Sequence, residues 1–381
     1  MRVSGGGRDG GVPSGSGALL DIRDLSVEYL IPGKGPESAV RAVDGVSFAI
    51  APGEVFGLAG ESGSGKSTIA HSILRVLRPP AIITGGEILF KGRDVLEMGE
   101  DEVARLQRGE VATLTPQDFD PPTESIEAFR WRDVAMVFQS AMNSLNPVMK
   151  ISEQIMDVLM AHQGLSKPQA RARAVELMEI VNIDPSRLDS YPHELSGGMR
   201  QRVVIAIALA LHPPLLIMDE PTTALDVVVQ KDIMKQIGRL KQQLGFSVLF
   251  ITHDLSLMVE FSDRIGIMYA GQIVEMAGAK EIFNNPLHPY TQGLLSSFPP
   301  LHGARQRLTG IPGSPPNMAD PPSGCRFHPR CTICQPKETA VVPQLREVQP
   351  GHWLRWHQGL PLPTGAAEAM GASGQSGKGR L

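Results

Sequence analysis

The sequence predicts an α/β fold built on a largely parallel β-sheet, and three observations lead to this prediction. Short apolar runs typical of buried strands occupy residues 55–59, 215–220 and 247–254. A helical pattern from about Val227 to Leu244 connects the last two runs. A glycine-rich turn followed by a helix comes directly after the first run. Strands that alternate with helices in this way form parallel sheets covered by helices.

The region before the 55–59 run predicts a β-rich opening, and a further segment after the glycine-rich turn has the same character. Segments LLDIRDLSVEYL and AVRAVDGVSFAI, within residues 19–50, mix apolar and polar residues at strand-like spacing. The proline- and glycine-containing turn IPGKGPES separates them. Segment GGEILFKGRDVL, residues 85–96, predicts a further pair of strands around a glycine turn.

The stretch from about 140 to 195 predicts an inserted α-helical subdomain. Apolar residues recur there at helical spacing in two runs, and Ser166 with Pro168 forms a helix start signal before the second run. The apolar positions are Ile151, Ile155, Val158, Leu159, Ala170, Ala174, Leu177, Met178 and Val181. Just before this subdomain, residues 107–128 are acidic and contain prolines without a persistent period. We interpret them as an inserted surface loop and assign them no function.

The two ends of the chain differ from the middle in composition. Residues 1–17 are rich in glycine and lack the apolar central region of a signal peptide, so we predict a disordered lead. We expect the main domain to span residues 18–298. A proline- and cysteine-containing C-terminal extension then covers 299–362, and a low-complexity tail predicted to be disordered covers 363–381.

Composition limits the classes of partner. The chain of 381 residues carries 36 Lys and Arg against 40 Asp and Glu, a formal net charge of −4. This balance lacks the basic footprint of a nucleic-acid binder, so we expect no nucleic-acid partner. The longest apolar run, Val203 to Leu211, is about half of what a bilayer crossing needs, so any membrane role is predicted to be peripheral.

The glycine-rich turn is the most specific motif. Residues 60–67, GESGSGKS, fit the pattern G-x-x-x-x-G-K-[ST], in which glycines let backbone N–H groups point at phosphate oxygens. The following helix adds its positive N-terminal end. Lys66 is predicted to reach the β- and γ-phosphates of a nucleoside triphosphate and Ser67 to bind Mg²⁺. The predicted contacts to the nucleotide are Gly60, Glu61, Ser62, Gly63, Ser64, Gly65, Lys66, Ser67 and Thr68.

A pair of carboxylates follows the second apolar run. Residues 215–218 are apolar and lead directly into Asp219, which a buried strand would deliver to the same sheet edge as the glycine-rich turn. We predict that Asp219 helps to hold Mg²⁺. Glu220 is then placed to polarise a water molecule for in-line attack on the γ-phosphate.

Residues 195–202, LSGGMRQR, lie between these two elements, and here the chain resembles the ATP-binding subunits of ABC transporters. Ser196, Gly197, Gly198 and Gln201 stand at the matching places of that family's LSGG-x-x-QR signature. The resemblance implies that this segment binds the ATP held by a partner domain. Hydrolysis would therefore require a head-to-tail dimer.

The resemblance assigns roles to four further residues in chain order. It implies that Tyr29 stacks on adenine and that Gln139 senses Mg²⁺ and the attacking water. Asp226 corresponds to the loop that crosses the dimer interface, and His253 to the switch histidine that contacts the γ-phosphate. It also implies the complete fold: a P-loop NTPase (RecA-like) parallel-sheet core with an antiparallel β subdomain, an inserted α-helical subdomain and a C-terminal extension.

Three segments narrow the resemblance to the dipeptide/oligopeptide importer ATPases, a branch that also contains nickel importers. They are SLNPVM (144–149), NNPLHPYTQGLLSSFP (284–299) and GCRFHPRC (324–331). The implied partners are a second ATPase subunit, identical or related, two transmembrane permease subunits and, indirectly, a substrate-binding protein. The implied location is the cytoplasmic face of the cell membrane. Import of nickel or another small solute, and a non-transport ABC ATPase, remain as alternatives.

The cysteines depart from the family pattern. The family's C-terminal extension commonly carries four cysteines that ligate an iron–sulfur cluster, whereas this chain has Cys325, Cys331 and Cys334, with Trp356 where the fourth is expected. Three soft ligands at this spacing, completed by a histidine such as His352 or His328, suit an iron–sulfur cluster or zinc. The other interpretation is a set of reduced thiols without a metal.

Overall fold

Two β-sheets form the frame of the molecule. The structure is a computed structural model that describes residues 17–31, 39–96, 129–223, 225–297, 310–333, 341–357 and 362. In chain order the strands are β1 Leu20–Leu30, β2 Ala39–Ile50, β3 Val55–Ala59, β4 Ala81–Phe90, β5 Arg93–Asp94, β6 Val134–Val137, β7 Leu215–Asp219, β8 Ser247–Ile251, β9 Arg264–Tyr269, β10 Gln272–Gly278, β11 Leu345–Gln349 and β12 His352–Arg355. The α-helices are α1 Lys66–Ile73, α2 Ile151–Gln163, α3 Lys167–Ile180, α4 Gly197–Ala208, α5 Val227–Leu244, α6 Leu255–Phe261, α7 Ala279–Asn284 and α8 Pro289–Ser296.

The larger sheet has the strand order β11-β12-β10-β9-β3-β8-β7-β6. The five strands from β9 to β6 run parallel, whereas β10, β12 and β11 pair antiparallel at one side. Every residue of β3, β7 and β8 is buried, as expected for parallel strands that helices cover on both faces. The predicted α/β fold with a parallel-sheet core is therefore confirmed.

The smaller sheet is antiparallel, with the order β2-β1-β4-β5. Its central strand β1 pairs with both neighbours, so that Tyr29 lies opposite Val40 on one side and Ala81 on the other. Apolar side chains of this sheet pack against β3, α1 and β8 in one buried cluster. The antiparallel β subdomain that the family resemblance implies is therefore confirmed, and its apolar face packs on β3, β8 and α1 of the parallel core.

Helices α2 and α3 lie where the sequence predicts a helical insertion. Ile151, Ile155 and Leu159 form the buried face of α2. On α3 the buried residues are Ala170, Ala174, Leu177 and Met178. The backbone N–H of Ser166 donates to Gln169 Oε1 at 3.0 Å, which satisfies one amide before the first turn of α3. The helices match the periodic pattern, and the domain boundaries stay a prediction.

The C-terminal region contains two strands that the sequence pattern did not indicate. Strand β12 pairs antiparallel with β10, and β11 pairs with β12, so both extend the large sheet. All four residues of β12 are buried although His352 and Arg355 are polar. Such a strand is stabilised by its neighbour rather than by its own residues.

Several predictions concern residues outside the described ranges. They include the lead before residue 17, the acidic insert at 107–128, the tail from 363 and Cys334. Among the helices that the structure describes, none combines the length and the apolar character needed to cross a membrane.

Candidate nucleotide-binding and hydrolysis site

The glycine-rich turn connects β3 to α1 at the carboxyl edge of the parallel strands. Gly60 has φ 151°, and a Cβ there would lie 2.1 Å from the carbonyl oxygen of Met268. Gly65, with φ 101°, is equally confined, because its Cβ would lie 2.2 Å from the carbonyl oxygen of Ala42. Neighbouring backbone therefore excludes any side chain at these two positions.

Lys66 lies inside the loop that these glycines shape. Its Nζ donates to the carbonyl oxygens of Gly60 at 2.8 Å and Glu61 at 2.9 Å, and to Ser64 Oγ at 3.2 Å. Burial lowers the pKa of Lys66, while Glu220, Asp219 and Glu61 oppose that effect. A buried ammonium bound mostly by neutral oxygens is suited to a polyanionic phosphate group.

Asp219 ends strand β7 and is 3% exposed. Burial raises the pKa of its carboxyl group, and a hydrogen bond with Ser67 is the largest of the effects that lower it. Within the described part of the chain, Asp219 Oδ1 has no hydrogen-bond partner. A buried carboxylate oxygen without a partner beside a serine hydroxyl fits the oxygen ligands that Mg²⁺ requires.

Three polar side chains contact the carboxylate of Glu220. Its Oε2 accepts hydrogen bonds from Gln139 Nε2 at 3.2 Å and Thr223 Oγ1 at 3.1 Å. Its Oε1 lies 3.1 Å from Nδ1 of His253. Gln139 and His253 are exposed, whereas only 18% of the Glu220 side chain is accessible. The three residues named from the sequence as catalytic are thus brought together.

Sheet order explains this convergence. Strands β6, β7 and β8 are parallel neighbours. Gln139 follows the end of β6, Glu220 follows β7 and His253 follows β8, so all three lie beyond the carboxyl edge of the sheet. Glu220 has φ 47° and its N–H donates to the carbonyl oxygen of Ile251 at 2.8 Å, which links the β7 end to the β8 end. Ligands of open parallel sheets bind at this edge.

The remaining predicted contacts lie on other elements. The Tyr29 hydroxyl is 3.4 Å from Thr68 Oγ1, so β1 places this half-buried ring beside the first turn of α1. Ser196 caps α4 by accepting from the N–H of Met199 at 3.3 Å. Asp226 caps α5, where Oδ1 accepts from two backbone N–H groups at 3.1 and 3.0 Å. Gln201 is buried on α4 and Gly197 lies in its first turn.

The signature segment, residues 195–202, and the glycine-rich turn of residues 60–67, called the P-loop from here on, lie on different elements of the chain. In the described ranges, no hydrogen bond or ion pair joins residues 196–202 to residues 60–68. Ser196 is exposed, whereas Ser64 and Lys66 are buried. The predicted role of Ser196 and Gly198 in binding ATP therefore stays a prediction that requires a second chain.

Comparison with known proteins identifies the family. A family model described as "ABC transporter" matches residues 43–223, and one described as "Oligopeptide/dipeptide transporter, C-terminal region" matches residues 274–337. The oligopeptide transport ATP-binding protein OppD of Bacillus subtilis is 41% identical over 341 residues, covering 88% of each chain. The chain belongs to the oligopeptide/dipeptide branch of the ABC transporter ATP-binding proteins.

Two further relatives of this ABC protein are also named as peptide transport ATP-binding proteins. The dipeptide transport ATP-binding protein DppD of Caldanaerobacter subterraneus is 40% identical, with 82% of this chain and 88% of the relative covered. OppD of Escherichia coli is 39% identical, with 88% of this chain and 91% of the relative covered. A bacterial ABC transporter cassette solved as a dimer superimposes with a TM-score of 0.55 at 25% identity, over 68% of this chain and 99% of the cassette.

The cysteine segment does not form a metal site from the described residues. Cys325 and Cys331 are partly buried free thiols, and burial raises the pKa of Cys325. His352 Nε2 lies 2.7 Å from Glu275, and His328 Nδ1 lies 2.9 Å from the Cys325 carbonyl oxygen. In the part of the chain that the structure covers, no group of three His, Cys, Asp or Glu is placed to hold a metal ion. The iron–sulfur or zinc hypothesis therefore gains no support here.

Sequence patterns did not single out several residues of this site. Thr223 donates to Glu220, and His71 on α1 lies close enough to Asp219 to affect its pKa. Two residues far along the chain also contact Glu61 of the P-loop, namely Tyr290 on α8 and Arg330. The spacing of Thr223 after Glu220 was available as a signal. The long-range contacts of Arg330 and Tyr290 had no such signal in the sequence.

Proposed function

We propose that this chain is the ATP-hydrolysing subunit of an ABC importer that takes up di- and oligopeptides. The observation that carries the proposal is the convergence of Gln139 and His253 on Glu220, directly after Asp219 and beside the P-loop. The match of the C-terminal region to oligopeptide/dipeptide transporters supports the class of cargo. Relatives named for oligopeptide and dipeptide transport support it as well.

The residues divide the chemistry between binding and attack. Backbone N–H groups of the P-loop and the Lys66 ammonium would bind the phosphates of ATP. Ser67 and Asp219 would hold Mg²⁺, which when bound neutralises charge on the phosphate oxygens. Glu220 would accept a proton from the attacking water, and Gln139 and His253 would orient that carboxylate and the water. Tyr29 would contact the adenine ring.

Hydrolysis would require two copies of the cassette. The starts of α4 and α5 carry Ser196, Gly198 and Asp226. These residues would complete the site of a second ATPase subunit, identical or related. The dimeric cassette that superimposes on this chain supports such an arrangement. An isolated chain should therefore bind ATP and hydrolyse it poorly.

The assembled transporter would contain two transmembrane permease subunits and receive cargo from a substrate-binding protein. This chain would bind the permeases at the cytoplasmic face of the membrane as a peripheral subunit. We retain the division into a cassette at 18–298, with its helical subdomain at 140–195, and an extension at 299–362.

Co-purification with two multi-span membrane proteins is expected, and ATPase activity that responds to DNA but not to membrane partners would contradict transport.

The Glu220→Gln variant tests the mechanism. In the assembled transporter we expect ATP binding to persist and hydrolysis to fall by about 100-fold or more, because the amide cannot accept the proton of the attacking water. Phosphate release measures hydrolysis, and binding of a fluorescent ATP analogue measures affinity. Glu260→Gln, at an exposed glutamate on α6, is the matched control and should retain activity. Full hydrolysis by Glu220→Gln would show the mechanism to be wrong.

Cargo is tested on the same preparation. Addition of the binding protein loaded with a di- or oligopeptide should stimulate ATP hydrolysis. Stimulation by nickel alone, with no response to peptides, would refute peptide import and leave the ATPase mechanism intact.

A further inference from the structure

The second residue of the P-loop is held by the C-terminal region of the same chain. Arg330 forms a bidentate ion pair with Glu61, with Nη1 to Oε2 at 2.9 Å and Nη2 to Oε1 at 3.1 Å. The Arg330 side chain is 6% exposed, and its Nε donates to the carbonyl oxygen of Pro312 at 2.8 Å. A buried, bidentate guanidinium is a rigid contact rather than a surface pair.

The backbone of Glu61 is held from the same side. Its N–H donates to the hydroxyl of Tyr290 at 2.9 Å, and Tyr290 is completely buried at the start of α8. The ring of Tyr290 packs against Tyr269 at 4.6 Å and Phe327 at 5.5 Å between ring centroids. Phe327 lies only three positions before Arg330. Aromatic packing and the ion pair therefore bring residues 325–331 and α8 against one residue of the loop.

These contacts reach the phosphate-binding group directly. The carbonyl oxygen of Glu61 accepts from Lys66 Nζ at 2.9 Å, so Glu61 links the C-terminal region to the lysine. The C-terminal residues Pro315, Pro316 and Met318 also face loop residues across a cavity of about 160 Å³. Displacement of Glu61 would move the loop on which the Lys66 contact depends.

Charge gives a second reason for this contact. Glu61 places a carboxylate in a loop that we propose binds a polyanion, and two negative groups at short range repel each other. Arg330 neutralises that carboxylate within 3.1 Å. The Arg330 side chain is 6% exposed and the Glu61 side chain 24%, so water screens this ion pair less than it screens a pair on the open surface.

We propose that Arg330 is a positioning residue for nucleotide binding, and that residues 325–331 keep the P-loop in its phosphate-binding conformation through Glu61. Binding of ATP and docking of this segment on the loop then favour each other, because a coupling between two sites acts in both directions. The inference rests on the proposed function only in that ATP binds at the P-loop.

Arg264 and Glu54 provide a matched control at the other end of the same strand. Glu54 precedes β3 and Glu61 follows it. Arg264 Nη1 lies 3.0 Å from Glu54 Oε1, and the Glu54 side chain is only 10% exposed. Loss of this pair should lower stability without moving the P-loop. It therefore separates a general loss of stability from a specific effect on nucleotide binding.

The first test is a double-mutant cycle in the full-length chain with a fluorescent ATP analogue and Mg²⁺. Arg330→Gln should raise Kd about tenfold, equivalent to about 1.4 kcal/mol. The double variant with Glu61→Gln should be affected no more than Arg330→Gln alone, because the pair is already lost. In the assembled transporter the change should appear in KM, with kcat nearly unchanged. Arg264→Gln should leave Kd within about twofold of the wild type.

An unchanged Kd in folded Arg330→Gln would overturn the inference, as would an equal change in Arg264→Gln. If Arg330→Gln does not fold, hydrogen exchange of the wild type is the deciding test. ADP with Mg²⁺ should slow exchange of the amides of His328, Arg330 and Cys331 in the wild type, and unchanged exchange would contradict the coupling. A wild-type chain that binds no nucleotide would instead refute the proposed function.

Discussion

Helices α1 and α4 both begin at a turn of serine and glycine, yet the two N-termini are built differently. At α1, Lys66 is 7% exposed and Asp219, at the end of β7, is 3% exposed. At α4, the capping Ser196 is exposed and the next three residues carry no charge. A helix N-terminus attracts anions in both cases, but only α1 adds a buried cation and a partly desolvated carboxylate.

Glycine also has a different role at each helix. Gly65 has φ 101° and is confined by the Ala42 carbonyl oxygen, so its own backbone requires glycine. Gly198 lies within helix α4, and its Cβ would lie 2.8 Å from Cγ1 of Val229 on α5. The P-loop is therefore shaped by the backbone of its own chain, whereas the α4 turn is shaped by close packing and left accessible. One chain therefore contains two helix starts of different kinds, a confined glycine loop with a buried lysine at α1 and an exposed serine-glycine turn at α4.

Alanine substitutions at these two glycines should differ most strongly in their effect on nucleotide binding. Gly65→Ala places a Cβ against backbone in a left-handed conformation, so we expect the Kd for a fluorescent ATP analogue to rise about 100-fold or more. Gly198→Ala meets only a side chain, and the Kd of the isolated chain should stay within about twofold. Its defect should appear in hydrolysis by the assembled transporter. A comparable loss of binding in both variants would contradict the comparison.

Asp219→Asn removes the buried negative charge near the start of α1. Because burial raises the pKa of Asp219, the folded chain is favoured when the group is protonated, and that contribution is lost as pH rises through the folded-state pKa. Without Mg²⁺, the variant should therefore have a higher urea midpoint than the wild type at pH 8, with a smaller difference near pH 4. The Mg²⁺-dependent gain in ATP affinity should fall about tenfold or more.

Asp232→Asn is the control for Asp219→Asn, because its carboxylate on α5 is 64% exposed. It should leave the Mg²⁺ dependence unchanged. A wild-type chain that is more stable than Asp219→Asn at pH 8 without Mg²⁺ would show that the buried carboxylate is not a cost to the fold.

Substitutions at Ser196 should change stability only slightly and leave ATP affinity of the isolated chain as it is. Ser196→Ala removes the cap of α4 and should lower the free energy of unfolding by about 1 kcal/mol, without a change in ATP affinity of the isolated chain. Ser196→Asp keeps a capping oxygen and should retain stability, while its charge would repel the phosphate of a partner's ATP. Urea denaturation and hydrolysis by the assembled transporter measure the two effects. Full hydrolysis by Ser196→Asp would argue against a role of this turn across a dimer.

The core strands and the P-loop were predictable because their signals are local. Residues 55–59 and 215–219 are fully buried strands, and an apolar run bounded by a turn or a carboxylate is visible in the chain itself. Helix α5 occupies Val227–Leu244, as the helical pattern predicts. Strands β11 and β12 were not predicted, since short segments with polar residues become strands only beside an existing edge such as β10.

The candidate site shows the same division. The glycine-rich motif and the Asp-Glu pair follow from residue order, and the family resemblance named Gln139 and His253. The hydrogen bonds of those two side chains to Glu220 depend on β6, β7 and β8 being neighbours. The pairing of Glu61 with Arg330 spans 269 positions, and no spacing rule extends over such a distance.

Residue order alone indicates the chemistry of each segment: a loop able to bind phosphate, an apolar strand that leads into two carboxylates, and a serine-glycine turn before a helix. The contacts between these segments appear only in the folded chain. The order of parallel strands brought Glu220 between Gln139 and His253, and the packing of the C-terminal region placed Arg330 on Glu61. Local patterns depend on residues that are neighbours in the chain, whereas strand order and long-range ion pairs depend on how the whole chain buries its apolar surface.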